Sequence, residues 1–176
     1  MSITTKVGDR GTTFLFSGEE VPKDSPRTSA YGDLDELVSV LGLARATTKR
    51  ADVRAAVLDL QRELFVAGAE LATSSRHVKL LKQRVDAARL ADLEARRDAL
   101  EKRIRMPAGF ILPGGTLAAA HLDHARTLAR RLERRVVGLT RRKLVRNPDL
   151  IVWLNRLSDY LWLLARREEG PAVLLK

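Results

Sequence analysis

The stretch "TLAAAHLDHARTLARRLERRVVGL", residues 116–139, decides the fold class of this 176-residue chain. Apolar residues recur through it at the three- and four-residue spacing of a helix face. They are Leu117, Ala118, Ala120, Leu128, Leu132, Val136 and Leu139. The spacing predicts one long helix, from about Thr116 to Leu144, that packs into a core along this stripe.

The same stretch carries five arginines between residues 125 and 135. Arg126, Arg130 and Arg134 follow one another every four residues and therefore share one helix face. Arg131 lies on a neighbouring face, as a ligand or an interface residue, and we expect Arg135 to face solvent. The planar fork of arginine suits bidentate contact with phosphate or carboxylate. This pattern fits a solvated basic face, a nucleic-acid-binding surface or a phosphate-binding site.

Four further helices are predicted from helical spacing and end signals. Three of them are expected over 28–48, 52–73 and 148–169. The fourth is a highly charged helix within 75–105, and a loop near 75–83 precedes it. In "NPD", Asn147 is a good N-cap and Pro148 fits the first helical position. With no internal repeat or domain-splitting linker, residues 1–176 are expected to form one all-α domain, an up-and-down five-helix bundle.

Two segments are expected to lie outside the helices. Residues 1–27 are rich in Gly, Thr, Asp and Pro and read as a loop, with a short extended piece at "TTFLF", residues 12–16. Prolines and glycines in "MPAGFILPGG", residues 106–115, forbid a continuous helix between the charged segment and the long helix.

Composition narrows the class of protein. Lys+Arg 32 against Asp+Glu 22 gives a formal charge of +10, which indicates anionic partners, although an arginine-rich surface gives the same balance. The absence of cysteine excludes disulfides, thiolate metal sites and a cysteine nucleophile. The sequence shows no secretory signal and no run of about 18 apolar residues, so we expect a cytoplasmic protein outside the membrane.

Three polar motifs could carry chemistry. In "TKVGDRGTT", residues 5–13, glycines, threonines and Lys6 could surround an anion, although the motif lacks the Walker pattern and fits a plain flexible loop as well. Asn155 in "WLNRLSDYLW", residues 153–162, lies beside a core stripe, where an interhelical hydrogen bond is the simpler explanation. Asp35 in "AYGDLDEL", residues 30–37, is expected to be buried and paired with an arginine. Together these motifs predict a helical bundle that binds a nucleotide-like anion.

Seven motifs occur in the order and spacing of a known family. They are "TKVGDRGTT", "VPKD", "AYGDLDEL", "LQRELFVAGAELAT", "FILPGGT", "ARTLARRLER" and "LNRLSDYLW". Across nearly its whole length the chain resembles the PduO-type ATP:cob(I)alamin adenosyltransferases. The resemblance implies a homotrimer that transfers the 5′-deoxyadenosyl group of ATP to the cobalt of cob(I)alamin, which forms adenosylcobalamin and releases triphosphate. It also implies a reductase that supplies cob(I)alamin from cob(II)alamin, and an adenosylcobalamin-dependent enzyme, as partners.

The resemblance assigns roles residue by residue. It implies that Arg126 pairs with Asp35, that Arg130 is catalytic, and that Phe110 packs beside the corrin and helps displace the lower ligand of cobalt. The implied ATP-binding residues, with Mg²⁺ held through the ATP phosphates, are Thr5, Lys6, Val7, Gly8, Asp9, Gly11, Thr12, Thr13, Lys23, Arg130, Arg131, Glu133, Arg134 and Asn155. In this family the N-terminal ATP loop, here residues 1–27, faces the arginine helix of a neighbouring subunit.

The chain departs from the family pattern at four positions and in a short tail after the last helix. Ser29, Val38, Asp123 and Leu132 stand where the family usually has Glu, Asn, His and Ala. Asp123 adds a negative charge close to the arginines. These departures motivate an alternative hypothesis, a non-catalytic ATP- or cobalamin-binding carrier or sensor. Nucleic-acid binding, which only the net charge favours, lacks interleaved aromatic residues and is not expected.

Overall fold

A computed structural model of the chain describes residues 4, 6–171 and 173–175. Five helices form a bundle, which confirms the predicted fold class. They are α1 (Pro26–Thr47), α2 (Ala51–Leu71), α3 (Ala87–Glu101), α4 (Leu117–Arg141) and α5 (Pro148–Glu169). α3 is the element that differs most from its predicted range, because the Asp86 side chain caps its first turn by accepting from Arg89 N. None of the helices among the described residues is long and apolar enough to cross a membrane.

Side-chain caps also set the starts of α1, α4 and α5, whereas Arg50 at the start of α2 makes no such bond among the described residues. Ser25 accepts a hydrogen bond from Thr28 N, Thr116 accepts one from Ala119 N, and Asn147 accepts one from Asp149 N. Pro26 and Pro148 occupy the first position of α1 and α5, where the missing N–H group would have no partner within the helix. The predicted cap at Asn147 is therefore confirmed.

The core lies where α4 packs against α1 and α5, with α2 against α1 and α3 against α5. Leu128, Leu132, Val136 and Leu139 of α4 are buried, as the spacing predicts. Leu117 is exposed, since it precedes by one position the stripe that begins at Ala118 and continues through Leu122 and Ala125. The expectation that Leu117 belongs to the core stripe is therefore wrong.

Two short antiparallel ribbons accompany the helices. β1 (Thr12–Phe14) pairs with β2 (Glu20–Pro22), which confirms the extended piece expected near the N-terminus. β3 (Ile111–Leu112) pairs with β4 (Val173–Leu174), so the tail after α5 returns to the segment between α3 and α4. Periodicity did not indicate this second ribbon, because each strand is two residues long.

Two buried charges tie helix ends together. The Arg27 guanidinium donates to the carbonyls of Leu71 and Thr73 at 2.6 and 2.8 Å, and to the carbonyl of Leu144. It thereby satisfies main-chain oxygens at the end of α2 and just after α4, and its burial lowers the pKa of the guanidinium. The buried Glu70 carboxylate accepts from Arg84, from Val85 N and from the Asn147 amide.

The first ribbon is anchored to the end of α2 by Glu19. Its carboxylate accepts hydrogen bonds from the side chains of Ser17, Ser74 and His77, the last at 2.9 Å. The bonds from Ser17 and Ser74, followed by the one from His77, lower the pKa of Glu19 to about 2. Phe16 N also donates to the Ala72 carbonyl at 2.8 Å, so backbone and side-chain contacts together hold the β1–β2 ribbon in place.

We predict that Glu19→Gln lessens stability in a pH-dependent way. The pKa of Glu19 is lower in the folded protein than its ordinary value of 4.5, so its stabilising effect is complete above pH 4.5 and disappears as the pH falls toward 2. Thermal unfolding of the wild type and the variant should show a difference in Tm that shrinks over this interval. Glu20→Gln removes the same charge from a carboxylate with one hydrogen bond, from Thr12, and is the control. A Glu19→Gln difference independent of pH would contradict the prediction.

Candidate functional site

The loop before β1 forms a tight turn. Residues Val7–Arg10 make one turn of 3-10 helix between Lys6, at φ 58°, and Gly11, at φ 82°. Gly11 N donates to the Gly8 carbonyl at 3.2 Å. A left-handed backbone conformation is uncommon for a residue other than glycine, and such conformations are concentrated at ligand-binding segments. Thr5 and the side chain of Val7, two of the predicted ATP contacts, lie outside the described residues.

Lys23 brings a second cation to this turn. Its N–H donates to the Gly11 carbonyl at 2.9 Å, and a Cβ atom on Gly8 would lie 2.6 Å from Lys23 Nζ. Gly8 therefore leaves the space that the lysine side chain occupies. Lys6 and Asp9 are exposed beside it. The structure thus unites the "VPKD" lysine with the glycine loop, as the motifs predict, in an arrangement suited to phosphate groups.

The two threonines after the turn are part of the ribbon. Thr12 and Thr13 lie opposite Pro22 and Val21 in the β1–β2 register. The Thr12 hydroxyl donates to Glu20 Oε1 at 2.6 Å. To donate to a phosphate, as predicted, the Thr12 hydroxyl would have to give up its bond to Glu20. The Thr13 hydroxyl forms no hydrogen bond among the described residues.

Two arginines on the predicted face of α4 carry charges that no described residue neutralises. Arg130 and Arg134 are exposed, and neither forms a hydrogen bond or ion pair with any described residue. Between them, the half-buried Glu133 accepts from the Asn155 amide of α5 at 3.2 Å. The structure therefore brings Arg130, Glu133, Arg134 and Asn155 together on one surface of α4 and α5. This bond joins α4 and α5, so it is also the interhelical hydrogen bond that the sequence offers as the simpler explanation for Asn155.

Arg131 and Arg135 turn toward α1. Asp33 Oδ1 lies 3.4 Å from Arg131 Nε, and Arg135 Nε donates to Asp33 Oδ2 at 2.5 Å. Arg131 also pairs with Glu36. Arg135 is exposed, as expected, although its guanidinium also pairs with Asp33. The Arg131 guanidinium already contacts two carboxylates within its own chain.

The buried carboxylate of α1 is Asp33 and not Asp35, which corrects the prediction. Asp35 is exposed because positions 30, 33, 34 and 37 face inward, while position 35 points away from α4. Arg126 Nε lies 3.5 Å from Asp123 Oδ1 of its own helix. Arg126 and Asp35 therefore do not pair within one chain, and their pairing stays a prediction for a contact between subunits.

Asp123, the departure closest to the arginines, has a partner of opposite charge. The buried Arg166 of α5 donates from a terminal nitrogen to Asp123 Oδ2 at 2.5 Å. The added negative charge is thus neutralised inside the bundle. Sequence reasoning missed Arg166, although an arginine directly after the apolar residues 163–165 indicates a buried cation that needs a carboxylate.

Two other departures take part in helix packing. Leu132 is fully buried, and Val38 packs against the core while its carbonyl accepts from Gln61 Nε2 at 3.0 Å. Ser29 is half-buried in the first turns of α1. None of the three lies in the glycine loop or on the Arg130 face.

Phe110 stands at the end of an exposed apolar ribbon. Its side chain is 84% exposed, and its carbonyl accepts from Leu175 N at 2.8 Å. In the register of β3 and β4, Phe110, Leu112, Val173 and Leu175 project from the same face. All four are exposed. An apolar face of this kind indicates a contact with something outside the chain.

Among the residues that the structure describes, no group of three or more His, Asp or Glu side chains could enclose a metal ion. Asp9 is the carboxylate nearest to the glycine turn in sequence. Mg²⁺ is commonly held by one or two carboxylates together with substrate phosphates and water. The residues present therefore fit a Mg²⁺ ion that arrives with a phosphorylated substrate.

Known proteins are similar to this chain in sequence and in fold. Residues 3–168 match the cobalamin adenosyltransferase family model. The chain is 42% identical to a corrinoid adenosyltransferase of Citrobacter freundii over 95% of its own length and 94% of the relative. It is 42% identical to the corrinoid adenosyltransferase PduO of Salmonella typhimurium over 98% of its own length, and it spans about half of that longer chain, 51%.

A solved structure agrees over the whole bundle. A variant of the PduO-type ATP:corrinoid adenosyltransferase from Lactobacillus reuteri, complexed with cobalamin and ATP, matches with a TM-score of 0.89 and 33% identity over 99% of both chains. These matches confirm the resemblance drawn from the seven motifs.

We predict that Asp33→Asn destabilises the fold by about 1–2 kcal/mol, because it weakens charged hydrogen bonds to a nearly buried acceptor. The loss is limited because the side chains of Arg131 and Arg135 are themselves 39% and 47% exposed. Urea unfolding at constant protein concentration measures the change. Asp59→Asn, which breaks an exposed ion pair with Arg62, is the matched control and should cost about 0.5 kcal/mol or less. Equal losses would contradict a structural role for Asp33.

Proposed function

The chain belongs to the cobalamin adenosyltransferase family, and we propose that it transfers the 5′-deoxyadenosyl group of ATP to the cobalt of cob(I)alamin. The products are adenosylcobalamin and triphosphate. The observation that carries this proposal is the pair Arg130 and Arg134, whose charges no described residue neutralises, beside the Glu133–Asn155 hydrogen bond. Fixed cations at such a place suit a polyphosphate leaving group.

The complete site forms between subunits of a homotrimer. Within one chain the glycine turn packs on the β1–β2 ribbon, whereas α4 packs on α1 and α5. Arg130 and Arg134 are therefore open to a loop from another copy. The exposed Asp35 of one subunit pairs with Arg126 of the next, which holds the two halves of the site together.

The two halves divide the work of binding ATP. Lys6, Lys23 and the backbone of the glycine turn surround the triphosphate from one subunit, and Thr12 and Thr13 add hydroxyl groups. Arg130 and Arg134 contact it from the other subunit, where Glu133 and Asn155 fix their surroundings. Mg²⁺, held by the phosphates and Asp9, would neutralise part of the negative charge.

The reaction needs positioning more than acid–base chemistry. The cobalt of cob(I)alamin is itself a strong nucleophile, so no side chain has to attack or remove a proton. The cobalt–carbon bond forms as the bond between the 5′ carbon and the triphosphate oxygen breaks, and that oxygen leaves with the electron pair. The site aligns the 5′ carbon with cobalt, and Arg130 and Arg134 stabilise the charge that develops on the leaving group.

The apolar ribbon forms the corrin side of the site. Phe110 packs where the lower ligand of cobalt would otherwise bind, and its apolar neighbours exclude water. Loss of the lower ligand leaves Co(II) four-coordinate, which makes its reduction to Co(I) easier. A reductase supplies the electron in the cytoplasm, and an adenosylcobalamin-dependent enzyme receives the product.

An anaerobic assay tests the proposed function. Protein, Mg-ATP and chemically reduced cobalamin should give adenosylcobalamin, which its absorption spectrum identifies. A correctly folded and assembled protein that forms no product would overturn the proposal in favour of a carrier or sensor that binds without turnover.

We predict that Arg130→Ala lowers kcat/KM by about 10²-fold or more, the scale of removing one group that stabilises transition-state charge. Arg141→Ala removes an exposed arginine from the end of the same helix and should keep activity within about twofold. Steady-state kinetics with reduced cobalamin measures both variants. Turnover of Arg130→Ala at the Arg141→Ala level would contradict the role given to Arg130.

We predict that Phe110→Ala impairs the reaction that starts from cob(II)alamin more than the one that starts from cob(I)alamin. The truncated side chain no longer displaces the lower ligand, whereas Co(I) has already lost it. The comparison uses one variant under two assay conditions, so a general loss of folding would affect both equally. Equal impairment under the two conditions would show that Phe110 acts on something other than cobalt coordination.

A further inference from the structure

A chain of four charged side chains, three of them buried and here called the ion chain, lies between the start of α4 and the last turn of α5. Asp123 contacts Arg126 at 3.5 Å and Arg166 at 2.5 Å, and Arg166 Nε lies 2.7 Å from Glu169 Oε1. The side chains of Asp123, Arg166 and Glu169 are 6%, 2% and 1% exposed. Two positive and two negative charges thus alternate, and the group is neutral as a whole.

The far end of this ion chain touches the loop that follows Phe110. A Cβ atom on Gly115 would lie 3.0 Å from Glu169 Cβ and 3.1 Å from Glu169 Oε2. Gly115 directly precedes Thr116, the cap of α4. Because this approach leaves too little room for a Cβ atom, the position of the Glu169 side chain constrains the backbone at Gly115.

The contacts of Arg166 are sensitive to position. The guanidinium of Arg166 and the carboxylate of Glu169 are in close contact. No aligned hydrogen bond within the described chain involves Arg166 Nε, one of its terminal nitrogens, or either carboxylate oxygen of Glu169. The guanidinium also lies 5.3 Å from the centre of the Trp162 ring. Removing Arg166 would leave the buried Glu169 carboxylate without its counter-charge, and it would leave Asp123 with only the 3.5 Å contact to Arg126. This requirement holds all three side chains in one arrangement.

The ion chain connects the two halves of the proposed site. Arg126 lies one helical turn before Arg130, on the side assigned to ATP. Glu169 ends α5, and four residues later the tail pairs with Leu112 in the ribbon beside Phe110. Asp123 and Arg166 join these ends through side chains alone. Arg166 therefore bridges the two ends, because it contacts Asp123 on one side and Glu169 on the other.

We propose that Arg166, together with Asp123 and Glu169, is a positioning group that holds the Phe110 ribbon in register with the ATP-binding face of α4. The inference rests on the proposed function, and none of the three residues touches a substrate. Glu169 positions the corrin side through Gly115, and Asp123 positions the ATP side through Arg126. Weakening either end should therefore impair a different step.

A matched pair of glycine variants tests the corrin end. Gly115→Ala pushes the loop and Glu169 apart by a few tenths of an ångström, whereas a Cβ on Gly109 meets nothing within 4 Å. With cob(II)alamin and ATP, Gly115→Ala should lower the four-coordinate absorption signature by about fivefold or more. Its Kd for ATP should stay within about twofold, and Gly109→Ala should match the wild type in both measurements.

Charge variants separate the two ends and guard against a folding defect. Glu169→Gln should repeat the effect of Gly115→Ala, whereas Asp123→Asn should raise the KM for ATP and spare the four-coordinate signature. Arg166→Met should impair both the four-coordinate signature and the KM for ATP. Arg166→Lys, which keeps the charge, should impair both properties less. Arg167→Gln, which breaks the exposed pair with Asp52, is the control and should leave both unchanged.

The outcomes distinguish this inference from the proposed function. Folded Gly115→Ala and Glu169→Gln proteins that keep the wild-type spectrum and KM would overturn the inference while the adenosyl transfer stands. Equal losses of ATP binding and corrin signature in every variant, in step with a lowered Tm, would also overturn it, since that pattern reflects stability alone. A wild type without ATP-dependent spectral change or turnover would overturn the proposed function and the inference with it.

Discussion

Burial of one side of α4 between α1 and α5 is the constraint on which the rest of the molecule depends. Once Leu128, Leu132 and Val136 enter the core, every other position of the helix has a fixed direction. Arg131 and Arg135 then meet Asp33 on α1, while Arg130 and Arg134 remain open. The same apolar packing thus separates arginines that hold the fold from arginines that can serve a ligand.

Local signals predicted much of this arrangement. The periodicity of apolar residues and the cap at Asn147 predicted the five helices, and the motif order predicted the family. The prediction of Asp35 as the buried carboxylate was wrong. Asp33 and Asp35 differ by about 200° around the helix, and the sequence of one helix does not show where its neighbour lies. The second ribbon and the Asp123–Arg166 pair join residues far apart in sequence, and no local pattern encodes such partners.

Much of the positive charge of this chain has structural partners. Arg27 satisfies helix-end carbonyls, Arg84 contacts Glu70, Arg96 contacts Glu63, and Arg166 sits between two carboxylates. Desolvation raises the pKa of Glu63 although the Arg96 guanidinium beside it lowers that pKa, because most of the Glu63 side chain is buried. Part of the excess of arginine over acid therefore cross-links the bundle through guanidinium groups, and the net charge is a poor guide to the kind of ligand.

The pairing of β4 with β3 has a practical consequence for anyone who handles this protein. The strand runs antiparallel to the Phe110 segment, and Leu175 already lies level with Phe110. The described tail ends at Leu175, beside this exposed apolar face. An affinity tag on that side of the ribbon is therefore best made removable, and the exposed loop around Val78–Leu80 is a better place for a label.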